Sequence, residues 1–490
     1  MNTHQNHKTS RSLRHILMAS LLLIASISLP GCSDSDNSDA EALLSTVPSS
    51  VSAVAVISPE SILKKAGCRT EGGKVTLPQE VKTLVDGITD AKTRKAVETV
   101  VSGESGVDPA CAVFFSDIYN SYLTAMVADT GRFRSFAEST TGRGFSKAGD
   151  IDVCGNIAIK GAQMWVCLSS DSTIDAKATA NFTTLGKSRS FMSNKATELM
   201  TGRHDLSVWS DANAVARTSS GAGFPSGGSY GPMALSTAFA DATAYLATID
   251  FDNGELRVKG NVLNSDGGYA KYLLPTGKID TSVAEKIGGD VQALMAIDLS
   301  AALIKKLQGV ASMLGQQGYA DMLSPIDGTA AIGLSDAQNP EQGLRAVITT
   351  KDGANQALLG ILGLAGQTKT DGKYVMLTAG AGSGKGMPVK EAASKLKGST
   401  FGIVVAGEAF KSVELPVSLL TARLMKEHDS LELDLVVKSD NPKENAAITL
   451  LRFFNKASGQ STPAAAKPTQ PAEAAPATPA APAEKNGTLK

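Results

Sequence analysis

Several short stretches of the 490-residue chain carry residue types that do chemistry. "AGAGSGKG" (379–386) approaches a phosphate loop. That motif needs G-x-x-x-x-G-K-[ST], glycines to wrap the phosphates and a hydroxyl to hold Mg²⁺. Here Ala379 replaces the first glycine and Gly386 the hydroxyl, so the stretch reads as a loop. "GGSYG" (227–231) spells G-x-S-x-G around Ser229. A nucleophile elbow needs a strand before it and a helix after it. Ser229 sits instead in the Gly/Ser/Pro-rich "SSGAGFPSGGSYGP", and only His204 and His428 remain beyond residue 32 to serve as a base. "DFDNGE" (250–255) suggests a calcium loop, but Gly254 is fifth rather than sixth. Asn253-Gly254 reads better as a hairpin turn. Asp117 and Asp336 both end an apolar run as "SD", which fits a shared turn or cap. The expectation is no catalytic residue, no metal and no cofactor.

The start of the chain carries an address. Lys8, Arg11 and Arg14 precede the apolar run "ILMASLLLIASISL" (16–29), which ends in "LPGC". This resembles a bacterial lipobox, in which the cysteine, here Cys32, takes a diacylglyceryl group and becomes the N-terminus. Residues 1–31 are then a signal peptide rather than fold. The expected partner is a membrane, reached through the lipid. "SDSDNSDAE" (33–41) is polar and acidic, so 32–44 is expected to be a disordered tether. It partly resembles the acidic stretch that directs Bacteroidetes-type lipoproteins to the outer surface. An outer-membrane location follows, facing either the surface or the periplasm.

Composition narrows the rest. Apolar residues make up 42% and aromatics 5%, enough for cores but poor for stacking sugars or bases. Lys+Arg is 47 against Asp+Glu 48, so no basic field exists to hold nucleic acid. Besides Cys32 the cysteines are Cys68, Cys111, Cys154 and Cys167, none in a C-x₂₋₄-C zinc pair. In an exported chain they are disulfide candidates. If Lys160-Gly161 is a two-residue hairpin loop, Cys154 faces Cys167 at a non-hydrogen-bonded position. Cα atoms there lie about 4.5 Å apart, within bridging range. A Cys154–Cys167 bridge is predicted, and Cys68–Cys111 follows by elimination.

The elements that would position any site repeat along the chain. "VSAVAVISPESILKKAG" (51–67) reads as a strand, a Ser-Pro break and a helix, and "VQALMAIDLSAALIKKL" (291–307) has the same shape. "DLSVWSDANAVAR" (205–217) and "FGIVVAGEAFKSV" (401–413) are weaker echoes. "PACAVFFSD" leading to "YLTAMVADTGRFRSFAES" (109–139) matches "GTAAIGLSD" leading to "GLRAVITTKDGANQALLGIL" (328–362), with Asp129 and Asp352 placed as helix N-caps. The fold class expected is α+β, with antiparallel sheets and helices, duplicated into halves at 45–285 and 286–456. The Ala/Pro/Thr-rich 457–490 is expected to be a disordered tail.

"TVPSSVSAVAVISPESILKKAG" (46–67) after a lipobox, with "AMVADTGRFRSFAES" (125–139) following, resembles the DUF4836 family of Bacteroidetes lipoproteins. The resemblance implies an envelope location and a repeated α+β fold, and carries no activity. The function expected is a membrane-anchored, non-catalytic scaffold or binding protein, with an envelope protein or polymer as further partner. The alternative is a surface hydrolase of glycans or peptides acting through carboxylates that the sequence does not identify; a cleft with convergent acids at the junction of the halves would favour it.

Overall fold

The computed structural model describes residues 38–457 except 72–73, 89, 118, 170–173, 213–237, 314–322, 352–358, 360–365, 381–383 and 428. The leader with Cys32, Ser229, the centre of "AGAGSGKG", Asp352, His428 and the tail from residue 458 lie outside the described residues. The fold is α+β, and among the described residues it is built on one antiparallel sheet of 18 strands.

The stretch 51–67 folds as read. β1 (Ala53–Ile57) is an alternating apolar strand, and Pro59 starts α2 (Pro59–Lys65) at its first position. Beside β1 run β2 (Val107–Ser116) and β3 (Ser121–Val127), then the helix α5 (Thr130–Thr141), capped by Asp129 as expected. A short strand at Ser146–Ala148 leads into a meander: β4 (Ile151–Cys154), β5 (Ile157–Lys160) and β6 (Gln163–Cys167). β7 (Leu206–Asp211), β8 (Ala242–Asp252) and β9 (Glu255–Asn264) complete the first half. The second half holds β10 (Ala293–Leu299), β11 (Ile326–Leu334), β12 (Leu344–Thr350), β13 (Gln367–Asp371), β14 (Tyr374–Thr378), β15 (Phe401–Ala406), β16 (Val417–Glu427) and β17 (Ser430–Ser439).

The first half is ordered β6-β3-β2-β1-β7-β8-β9. The second is ordered β14-β12-β11-β10-β15-β16-β17. Strand for strand these are the same order. β9 pairs antiparallel with β17 from Glu255↔Lys438 to Asn261↔Glu432, with Lys259↔Asp434 at its centre, so the halves share one sheet.

Alternation along the strands feeds cores on both faces. Val54, Val56, Val113, Phe115, Trp209 and Leu246 pack on one face of the first half. Ile57, Leu123 and Ala125 pack on the other, beneath Phe133 and Ala137 of α5. In the second half Leu294, Ala296, Val347 and Val404 pack under α6 (Thr281–Glu285) and α8 (Val389–Lys395). The last helix, α9 (Ala446–Ala457), returns to the first half: Ala446 and Ala447 pack on Phe251 and Ala66. Arg452 of α9 meets Glu80 at 2.8 Å on α3 (Gln79–Asp86). The division at residue 285 therefore does not separate two independent bodies.

Two expectations are corrected. The tether expected over 32–44 becomes helical from Ser38, as α1 (Ser38–Leu44). Its acids Asp39 and Glu41 sit in the first turn, where the helix dipole favours them, and Ala40, Leu43 and Leu44 are buried at i, i+3 and i+4 spacing. The hairpin expected at Lys160-Gly161 turns one residue later: Lys160 pairs with Gln163, leaving Gly161-Ala162 as the loop, with Gly161 at φ +58°. Asn253-Gly254 does form the two-residue loop, closed by Asp252↔Glu255. Gly254 there takes φ +71°, and a Cβ would lie 2.6 Å from Pro442, so this position requires glycine.

Leu43 is fully buried, whereas Glu41 on the same helix is exposed. Leu43→Ala is expected to cost about 2–5 kcal/mol in urea unfolding, and Glu41→Ala less than about 0.5 kcal/mol. Equal, small effects would mean that α1 does not belong to the core.

Candidate functional site

A polar cluster gathers at the C-terminal end of β1. Ser61 and Lys65 lie four residues apart on α2, hence on one face. Ser61 Oγ donates to Asp205 Oδ1 (2.6 Å), and Lys65 Nζ reaches Asp205 Oδ2 (2.7 Å). The Phe251 N–H donates to Asp205 Oδ2 as well (2.7 Å). Asp205 is 2% exposed. Beside it His204 Nδ1 lies 2.9 Å from Asp250 Oδ2. Ser58 N–H donates to the Asp205 carbonyl (3.0 Å) and Ser58 Oγ to the His204 carbonyl (3.1 Å). Serine, lysine and carboxylate together suggest a nucleophile with its base. Their geometry makes a latch instead: the buried carboxylate is saturated by an ammonium, a hydroxyl and an amide, and fastens α2 to the sheet.

The same place in the second half is open. Asp205 immediately precedes the pair Leu206↔Ile249, and Thr400 immediately precedes the corresponding Phe401↔Leu424. Ser58 N–H bonds the Asp205 carbonyl, and Asp298 N–H bonds the Thr400 carbonyl (2.9 Å). A cavity of about 670 Å³ lies here, lined by Thr276, Gly277, Lys278, Thr400, Lys426 and Asp429. The nearby Asp298 is 6% exposed and turned onto the Gly277 N–H (2.6 Å).

At the junction of the halves the carboxylates are paired with cations. Asp434, 3% exposed, meets Arg423; Glu432 meets Lys259 at 3.4 Å; Glu255 meets Arg257 at 2.6 Å and Lys438 at 3.7 Å. Its hydrogen bond to Glu255 raises the Arg257 guanidinium above its ordinary value. A second cavity of about 400 Å³ is lined partly by Glu391, Glu408, Lys411 and Asp440, and Lys395 and Lys411 pair with Glu391 and Glu408.

Asp117 and Asp336 build the same turn, as their spacing suggested. Asp117 Oδ1 accepts from the N–H groups of Tyr119 (2.7 Å) and Asn120 (2.6 Å). Asp336 Oδ1 accepts from those of Gln338 (2.9 Å) and Asn339 (3.1 Å). The Asn339 side chain and these amides hold the Asp336 carboxyl below its usual range. His204 Nδ1 meets the Asp250 carboxylate, so "DFDNGE" contributes a hairpin and a hydrogen-bonding partner for that ring.

The predicted disulfides do not form. Cys154 pairs with Ile157 across the turn from β4 to β5, while Cys167 N–H bonds the Asn156 carbonyl at the end of β6. The sequence "DVCGNIAIKGAQMWVC" makes three strands rather than two, which puts Cys154 and Cys167 in cores on opposite faces. Cys68 packs among the helices with Val81 and Val97, away from Cys111 on β2. Cys154 Sγ instead lies 2.9 Å from Thr141 Oγ1 and 3.0 Å from the Arg143 carbonyl. Burial pushes the Cys68 and Cys111 thiols up to about 12.

Thiolates are the reactive form, so Cys68 and Cys111 in the native protein are expected to resist iodoacetamide at pH 8 and to react after guanidinium unfolding. Rapid native labelling would contradict their burial. Their pKa values stand above the ordinary 9.0, so the stability they carry is complete below pH 9 and is lost as pH rises toward 12. Lys65→Met leaves the Asp205 carboxylate buried without its cation. It is expected to cost about 3 kcal/mol in denaturant unfolding, whereas a cost near zero would remove the latch.

No family model matches the chain, and no curated protein does. Among solved structures, crystal forms III and I of TP0453 align with 72% of this chain and with 96% and 95% of their own. Their TM-scores are 0.29 and 0.26, at 8% and 7% identity, a likeness too weak to carry an argument.

Proposed function

We propose that this protein is a lipid-anchored bacterial envelope protein that binds or scaffolds rather than catalyses. One observation carries the non-catalytic reading. The buried aspartates among the described residues, Asp152, Asp205, Asp298 and Asp434, are each engaged by a cation or a backbone amide. Acid–base catalysis needs a carboxyl poised to exchange its proton with a substrate. The junction of the halves, where a hydrolase would place such groups, is a hydrogen-bonded ladder with charge pairs on it.

The anchor rests on the sequence. The basic start, the apolar run and "LPGC" support a lipid on Cys32 and an outer-membrane site. The phrases that resemble those of DUF4836 lipoproteins support the same placement. The common strand order supports a unit built twice, with two similar frames presented side by side. No helix among the described residues is long and apolar enough to cross a membrane.

Cells expressing the chain with labelled palmitate are expected to give a labelled band in the membrane fraction, released by detergent. Cys32→Ala is expected to lose both the label and the membrane association. An unlabelled wild-type protein recovered without detergent would refute the anchor.

A further inference from the structure

We infer that the cavity at Thr400 and Lys426 binds an oxyanion, a carboxylate or phosphate group of a ligand, in the place that the first half fills with its own Asp205. The inference deepens the binding-protein reading and rests on the two halves sharing one frame.

The first half shows what the frame holds at this point. Asp205 Oδ2 accepts from the Phe251 N–H, and Phe251 lies one residue before the pair Asp252↔Glu255 that closes its hairpin. Lys426 lies one residue before the closing pair Glu427↔Ser430. Gly254 and Asp429 occupy the same loop position and share a left-handed backbone, at φ +71° and +65°. The Leu424 carbonyl accepts from the Thr400 N–H (2.8 Å), so it faces Thr400. Antiparallel strands turn every second residue's N–H and C=O to the same side, so the Lys426 N–H also faces Thr400. It therefore points where the first half places a carboxylate oxygen. Threonine is shorter than aspartate and uncharged. Its hydroxyl donates to the Leu424 carbonyl (3.1 Å), which leaves the N–H facing the cavity.

Charge agrees with this geometry. In the first half the carboxylate is matched by the Lys65 ammonium. In the second the cavity wall supplies Lys278 and Lys426 against one carboxylate, Asp429. Among the described residues neither ammonium has an ion-pair partner. The buried Asp298 is occupied by the Gly277 amide. An oxyanion bound between these groups would gain charge-assisted hydrogen bonds, the strong kind.

Titration of the detergent-purified full chain tests this. Inorganic phosphate and acetate serve as free anions and dihexanoyl phosphatidic acid as a lipid-borne one, read by calorimetry and phosphorus NMR line width. Saturable binding of at least one probe is expected. Stronger binding of the phosphatidic acid assigns a lipid headgroup; equal binding assigns a free anion. Lys278→Gln and Lys426→Gln, at exposed and half-buried positions, are expected to weaken binding about tenfold each. Thr400→Asp, which restores the first half's carboxylate, is expected to abolish it. No saturable binding, or binding unchanged by both lysine variants, overturns the inference even if Thr400→Asp fails to fold. Palmitate labelling of Cys32 is independent of every one of these readings, so the anchor and the anion site can fail separately.

Discussion

The antiparallel ladder between β9 and β17 is the interaction on which the architecture depends. Without it each half would present a long strand with an unsatisfied edge, which invites association with other chains. With it, Lys259 and Asp434 face each other at the centre of one sheet, and equivalent residues flank them on either side. Alternation then sorts the side chains. One face of the ladder carries Glu255, Arg257, Lys259, Glu432 and Asp434; the other carries Leu256, Val258, Leu433 and Leu435. The charged face places Asp434 beside Arg423 with only 3% of the residue exposed. Removing one member of such a pair leaves a charge desolvated and uncompensated, so the stripe resists single substitutions.

The like strand order of the two halves lets the backbone be compared apart from the side chains it carries. The strand pairings next to Asp205 and Thr400 are alike, including the bonds from Ser58 and Asp298. In the first half Ser61 and Lys65 follow on the helix, and the acid closes the position from inside. In the second half the corresponding phrase has Ala301 in place of Ser61, and Thr400 replaces the acid. The difference between a sealed latch and a cavity comes down to a few side chains on an unchanged ladder.

Much of this was legible in the sequence, for local reasons. The alternating strand of 53–57, Pro59 at the helix start, the Asp129 cap and the Asn253-Gly254 loop each depend on neighbours a few residues away. The α+β class and antiparallel pairing followed from those periods. What failed depended on counting or on distant contacts. Taking Lys160-Gly161 for the loop placed the turn one residue early and every partner two residues off, so Ile159 faces Met164 rather than Ala162. It also hid the turn at Gly155-Asn156, where Gly155 has φ +60°. Residues 38–44 looked like tether because acids surround them, yet three apolar positions suffice when a core waits for them. The Asp205 latch was invisible because its members are about 140 residues apart in the chain.

The return of α9 to the first half sets an order of events in making the protein. Ala446, Ala447 and Leu450 complete a core with Ala66 and Phe251, and Asn455 Nδ2 donates to the Glu80 carbonyl (3.0 Å). A ribosome or a translocation channel delivers residue 66 long before residue 457. The early half must therefore wait, with that apolar surface uncovered, until the late helix arrives. Closing contacts of such long sequence separation is slow. The helix that seals the fold is the last described element that synthesis delivers to it.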